Sequence, residues 1–261
     1  MTTRTASTTR PTPGRARPGR TLLATTGRIL RQIRHDRRSI ALILVVPVVL
    51  LTLVYYMFEH QPEVFQRVGL SMLGVFPLVI MFLLTSIAML RERTSGTLER
   101  LFTTLVTKLD LLFGYGLAFG LIATVQATVA TLVAYWLLGL ETAGSLWLVV
   151  LIAVANAVLG VALGLFFSAF ARTEFQAVQF MPVAVVPQIL LCGLFVPRNQ
   201  MAGWLEGLSN LMPMSYAVEA LQEVGMHPEP TGRMWRDLAI VLAVVVLALA
   251  AGATTLRRRT R

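Results

Sequence analysis

Long apolar stretches, each free of Asp, Glu, Lys and Arg, alternate along this chain with shorter polar segments. A bilayer core of roughly 30 Å is crossed by about 20 helical residues at about 1.5 Å rise each. Six stretches reach that length: 40–58, 68–90, 111–140, 146–171, 175–197 and 238–256. The third is long enough for a tilt or an interfacial extension. The pattern predicts an all-α integral membrane fold with six transmembrane helices.

Ahead of the first span, Leu22, Leu23, Ile29, Leu30 and Ile33 recur at helical spacing, with Arg28, Arg31 and Arg34 at other positions. That is the pattern of an amphipathic interfacial helix whose arginines face headgroups while its leucines enter the acyl boundary. A cytoplasmic helix packed on a partner protein is the alternative. His35-Asp36-Arg37-Arg38 forms the hinge into the first span. Residues 1–20 are rich in Thr, Arg and Pro and hold no acidic residue. Such a mix suits a transit peptide or a disordered cytoplasmic tail, and it is read here as the tail, because no cleavable signal segment follows. The expected organisation is therefore a tail over 1–20, an interfacial helix over 21–38 and a six-span unit over 39–261. The loop between the fifth and sixth spans carries Trp204, Leu205, Leu208 and Leu211, then Tyr216, Val218 and Leu221. It is expected to return to the outer interface as short amphipathic helices.

Composition agrees with lipid as the natural solvent, with 56% hydrophobic residues and a mean hydropathy of +0.70. The net charge of +10 reflects topology, since 19 of the 23 Lys and Arg fall in alternate segments: before the first span, in 91–110, at Arg172 and after the last span. The positive-inside rule then places both termini in the cytoplasm. No segment is a polar basic domain of the kind that reads nucleic acid. The lone cysteine, Cys192, excludes an intramolecular disulfide. The lone lysine, Lys108, follows Thr107 rather than Gly, so the chain lacks the Gly-Lys-Ser/Thr of a Walker A loop. A proton- or sodium-coupled carrier usually holds a carboxylate or histidine at mid-membrane. The six apolar stretches hold none, and the driving force is expected to come from outside the chain.

The segment Arg91-Glu92-Arg93-Thr94-Ser95-Gly96-Thr97-Leu98-Glu99-Arg100-Leu101 is the most informative loop. Charges of both signs surround Leu98, Leu101, Phe102 and Leu105 at a spacing that predicts a short amphipathic helix after a break at Gly96. Such a helix can present one face to a partner's groove. The segment resembles the Glu-x-x-x-Gly-Thr-Leu-Glu-x-Leu signature of the type-2 ABC transporter permeases, the family that includes the daunorubicin-resistance-like exporters. Glu92, Gly96, Thr97, Leu98, Glu99 and Leu101 occupy the matching positions, and Arg100 lies among them. A second similarity covers 179–217, with Phe195-Val196-Pro197, Trp204-Leu205 and Pro213-Met214-Ser215-Tyr216-Ala217.

The resemblance implies a coupling helix between spans two and three that docks on a separate P-loop ATP-binding subunit. It further implies two copies of that subunit, a second permease copy, membrane lipids as surroundings, and ATP and Mg bound by the partner rather than by this chain. It implies export of a drug-like or lipid-like amphipathic substrate. The nearly Lys-free, Ala- and Arg-rich composition is associated with a GC-rich bacterial genome, and the expected location is a bacterial plasma membrane. Pro182 and Pro187 interrupt the fifth span and free backbone carbonyls. With Gln179, Gln188 and, in the second span, Pro77 and Phe82, they are candidates to line the pathway, or equally to kink helices and hold them together. Two other functions stay open: a membrane enzyme using Glu59, His60 and Glu63 as metal ligands, and a non-transporting scaffold or sensor that binds a partner through the same loop.

Overall fold

The computed structural model describes residues 18–94 and 108–255. Its helices are α1 (Pro18–His35), α2 (Arg37–Met57), α3 (Pro62–Thr94), α4 (Lys108–Trp136), α5 (Leu146–Ser168), α6 (Glu174–Leu191), α7 (Gly203–Ser209), α8 (Pro213–Met226) and α9 (Gly232–Thr255), with a 3-10 turn at Arg198–Gln200. Six of them, α2 to α6 and α9, are long and apolar enough to cross a membrane. No strand occurs among the described residues.

The core forms around α5, which packs most extensively on α3 and also on α4 and α9. Leu73, Leu78 and Phe82 of α3 meet Ile152 and Leu159 of α5, together with Leu221 of α8 and Val241 of α9, all of them buried. A second cluster joins Ile29 of α1 and Met81 and Met89 of α3 to Phe119 of α4 and Ala157 of α5. Two glycines set the α3–α5 distance. A Cβ on Gly160 would lie 2.4 Å from the Leu78 carbonyl oxygen, and one on Gly164 would lie 2.6 Å from that of Phe82. Backbones this close require a small-x-x-x-small face, since lipid supplies no hydrophobic force to drive helices together and dispersion must do it. Beside this contact, the buried Asn156 donates from Nδ2 to the Gly74 carbonyl at 2.9 Å.

Element boundaries differ from the apolar runs where local chemistry intervenes. α1 stops at His35 because Asp36 leaves the helical region and caps α2, accepting from the backbone N–H groups of Arg38 and Ser39 and from the Ser39 hydroxyl. α3 runs past its apolar stretch at both ends, taking in Arg67 and Arg91. α4 ends at Trp136, four residues early, before a turn with Gly139 at φ +64°. α6 ends at Leu191 rather than 197, followed by Gly193 at φ +89°. α9 starts at Gly232, six residues early, since the Thr231 hydroxyl accepts from Met234 N. α8 is more than an interfacial helix: Met214, Ala217, Val218, Leu221 and Val224 are buried, and it packs on α3, α5 and α9.

The six crossings give the bundle two ends. The proximal end holds α1, the end of α3 and the start of α4, joined by Thr26 Oγ1 donating to the Gly114 carbonyl. The distal end holds α7, α8 and the turn where the Gln66 side chain bonds Gly139 and Glu141.

Candidate functional site

Gly96, Thr97, Leu98, Glu99, Arg100 and Leu101 lie outside the described residues, and the root from which they spring is described. At the end of α3, Glu92 turns inward with a side chain 10% exposed, and its carboxylate accepts from Arg28 of α1 at 2.7 Å. The same guanidinium reaches the Tyr115 hydroxyl of α4 at 3.5 Å. Burial alone would lower the Arg28 pKa, but the Glu92 carboxylate outweighs it and holds the guanidinium above its ordinary value. Arg93 donates to the Ser168 carbonyl at the end of α5, at 2.9 Å. Arg91 makes a bidentate bond to Glu174 at the start of α6, at 2.7 and 3.0 Å. That last pair is exposed and adds little stability, but it fixes geometry. Three consecutive side chains therefore bind the end of α3 to α1, α5 and α6.

Sequence reasoning placed Glu92 in a partner-facing loop and Arg28 toward headgroups. The structure pairs them with each other beneath α1. Arg93 was named only as part of the 91–101 segment, and Tyr115 and Glu174 were not singled out. Their only sequence signal is position, each lying at the same end of a span as residues 91–94.

The six pathway candidates do not gather around one cavity. Pro77 and Phe82 are buried inside the bundle, with the Phe82 ring 5.7 Å from that of Phe167. Gln179, Pro182 and Pro187 lie on the exposed side of α6. Gln188 is buried, and its Oε1 accepts from Met214 N at the start of α8 at 3.3 Å while its Nε2 donates to the Ala184 carbonyl. It joins α6 to α8.

A proximal cavity of about 510 Å³ lies between α1, α2, α3 and α4, with Arg28, Asp36, Arg91 and Glu92 on its rim and Ile29, Ile43 and Phe119 on its walls. The Ser39 hydroxyl and amide hold the Asp36 carboxyl below its usual pKa. A distal cavity of about 600 Å³ is lined by Arg198, Tyr216, Glu219, Glu223, Arg233 and Arg236, among others. Glu219 of α8 binds both Arg198 and Arg233, Arg198 also binds Asn210 and lies over the Tyr216 ring, and Glu223 accepts from the Thr231 hydroxyl. Asp237, fully buried at the distal end of α9, pairs with Arg236. This network also escaped the sequence reading, although Glu219 and Glu223 share one face of α8 at a spacing of four. Glu59, His60 and Glu63 are exposed at the turn between α2 and α3. Among the described residues no three His, Cys, Asp or Glu side chains converge as a metal site.

A family profile for the ABC-2 type transporters matches residues 20–225. The chain is 28% identical over 171 residues to ABC transporter G family member 20 of Dictyostelium discoideum, covering 64% of this chain and 23% of that protein. It is 26% identical over 189 residues to the probable multidrug ABC transporter permease YbhR of Escherichia coli, covering 72% and 51%. It is 25% identical over 168 residues to the linearmycin resistance permease protein LnrN of Bacillus subtilis, covering 64% and 43%. The chain thus spans about half or less of the length of these curated relatives. A bundle of six membrane-length helices and a profile match over most of its length lead to one assignment: the chain is a multi-pass membrane protein of the ABC-2 type transporter family, the type-2 ABC permeases.

Proposed function

We propose that this chain is the permease subunit of an ATP-driven exporter that moves a drug-like or lipid-like amphipathic substrate out of the cell. It works with a second permease copy and two copies of a P-loop ATP-binding subunit, which bind the ATP and Mg. The observation that carries this reading is the family match across the span that contains the 91–101 segment. Within the 91–101 segment, Glu92 and Gly96 to Leu101 form the docking element, and both termini face the cytoplasm of a bacterial cell. Work enters where α3 ends. The bonds of Arg91, Glu92 and Arg93 to α6, α1 and α5 supply a route by which force at the docking element reaches three helices together. The proposal places the chemistry of hydrolysis on the partner and the conformational work here.

The test is purification of the tagged chain from its native membrane in mild detergent, with mass-spectrometric identification of what accompanies it and an ATPase assay. A P-loop ATPase is expected in equal amount, and Glu99→Arg is expected to lose stimulated hydrolysis while inserting normally. An intact chain that purifies without an ATPase would assign it to the scaffold reading, and normal transport by Glu99→Arg would refute docking through this segment.

A further inference from the structure

We infer that the proximal end carries an ordered anionic phospholipid, with one acyl chain in the groove between α1, α2 and α4 and its phosphate at Arg34 and Arg37. The inference rests on the six-helix membrane fold and is independent of whether the protein exports anything.

The groove has a volume of about 240 Å³, and Arg34 is the one polar residue among those that line it. Leu30 and Ile33 of α1 form one wall, Ile43 and Leu44 of α2 a second, and Ile122 and Val125 of α4 the third. It opens outward rather than into the bundle, since Leu121 and Val125 are 47% and 55% exposed. An apolar trough on the outside of a membrane bundle takes an acyl chain.

The charge at its mouth decides which lipid. Arg31, Arg34, Arg37 and Arg38 are all exposed, and among the described residues none of their guanidinium groups is in an ion pair. By contrast Arg28 and Arg91, nearby, are taken up by Glu92 and Glu174. The adjoining acid, Asp36, is occupied with the N-terminus of α2 through Ser39 and Arg38 N. Arg37 stands three residues before Ile40 and seven before Leu44, on the face of α2 that lines the groove. Arg34 lines it directly from α1. The break at Asp36 leaves Arg34, which lines the trough, and Arg37, one turn before the lining residue Ile40, on either side of the α1–α2 junction. A soluble anion would use the arginines without the groove, and a neutral lipid would use the groove without the arginines. Only an anionic amphiphile uses both. Its phosphate would bridge α1 to α2 across the break, and its chain would support α1 from the side opposite the Arg28–Glu92 pair.

Each basic side chain close to an anionic lipid surface contributes about five-fold in binding, so two give about 25-fold. The test is native mass spectrometry of the delipidated full-length chain, titrated with phosphatidylglycerol or phosphatidylcholine. The wild type is expected to retain phosphatidylglycerol about 25-fold more tightly. Arg34→Gln/Arg37→Gln should remove that preference while leaving phosphatidylcholine retention unchanged. Val125→Trp, which fills the trough at an exposed position, should weaken both lipids. A melt followed through Cys192 accompanies each variant, so that loss of fold is not mistaken for loss of the site. Equal retention of the two lipids by the wild type overturns the inference, as does undiminished phosphatidylglycerol binding by Val125→Trp. Displacement of the lipid by millimolar inorganic phosphate would assign the arginines to a free anion and also overturn it. Loss of a protein partner by Arg34→Gln/Arg37→Gln, without lipid discrimination in the wild type, would assign them to an acidic protein surface.

Discussion

Replacing Gly160 with alanine puts one methyl group into the α3–α5 contact. The new Cβ would stand 2.4 Å from the Leu78 carbonyl oxygen and 3.0 Å from its carbonyl carbon and Cα. A carbon meets a carbonyl oxygen at about 3.3 Å at the closest, so the two helices must separate by about 0.9 Å. The obstructing atoms are backbone and cannot rotate away. Overpacking of this kind costs ~1–3 kcal/mol, against ~1 kcal/mol gained when alanine replaces glycine in a helix. The separation also stretches the Asn156–Gly74 bond one turn away, which in membrane helices is worth ~0.6 kcal/mol. The net loss is ~0.6–2.6 kcal/mol, equivalent to about 1–10 °C in Tm for a chain of this size. Cys192 supplies the assay, because it is the only cysteine and is 1% exposed. A thiol-reactive dye therefore reports unfolding in detergent. Gly120→Ala is the control, with nothing within 4 Å of its added Cβ, and should melt with the wild type or slightly above it. Equal melting of Gly160→Ala and the wild type, or an equal drop in Gly120→Ala, would refute the close-contact argument.

Glu92→Gln removes the charge that holds Arg28, and with Arg28 39% exposed the loss should be ~1–2 kcal/mol after solvent screening. Arg28→Gln/Glu92→Gln should cost less than the sum of the single changes in the same melt, and strict additivity would show that the pair is not coupled. Asn156→Leu should lower Tm by a few degrees and leave insertion normal, as measured by protease protection of the loops; an unchanged Tm would mean that the bond to Gly74 contributes nothing. Cys192 is 1% exposed, so maleimide labelling of the folded chain should stay slow and become fast once denaturant opens the bundle, whereas fast labelling of the folded chain would show the site to be open. Glu219→Ala unties both Arg198 and Arg233 and should speed proteolysis within 192–212, with unchanged cleavage counting against a bracing role.

The six crossings were legible because a bilayer imposes one demand, an uncharged run of sufficient length, which neighbours seldom overrule. Their ends were not, because a helix end depends on caps and pairs. α9 takes in Arg233, Arg236 and Asp237 once Thr231 caps it and Arg236 meets Asp237. α6 stops short where Gly193 turns the chain. The family motif was legible as a string, yet the role of its first residue was not. Glu92 meets Arg28 across 64 positions, and nothing local in either segment specifies the other. The Gly160-x-x-x-Gly164 spacing was readable in principle. In an all-apolar span its significance rests on which helix lies opposite, and only the packed bundle supplies that.

The place where α3 is gripped bears on how a push would travel through the molecule. Its 33 residues make a rod about 50 Å long at about 1.5 Å per residue, well beyond a hydrocarbon layer of roughly 30 Å. The closest grip, at Leu78 against Gly160, falls midway between Pro62 and Thr94, leaving two arms of about 24 Å each. A rod held at its centre is a balanced seesaw. Pro77 stands beside that grip, so a helix that stays straight would carry a displacement of the Thr94 end to the Pro62 end at equal distance with its sense reversed, whereas a bend at the proline would uncouple the two arms.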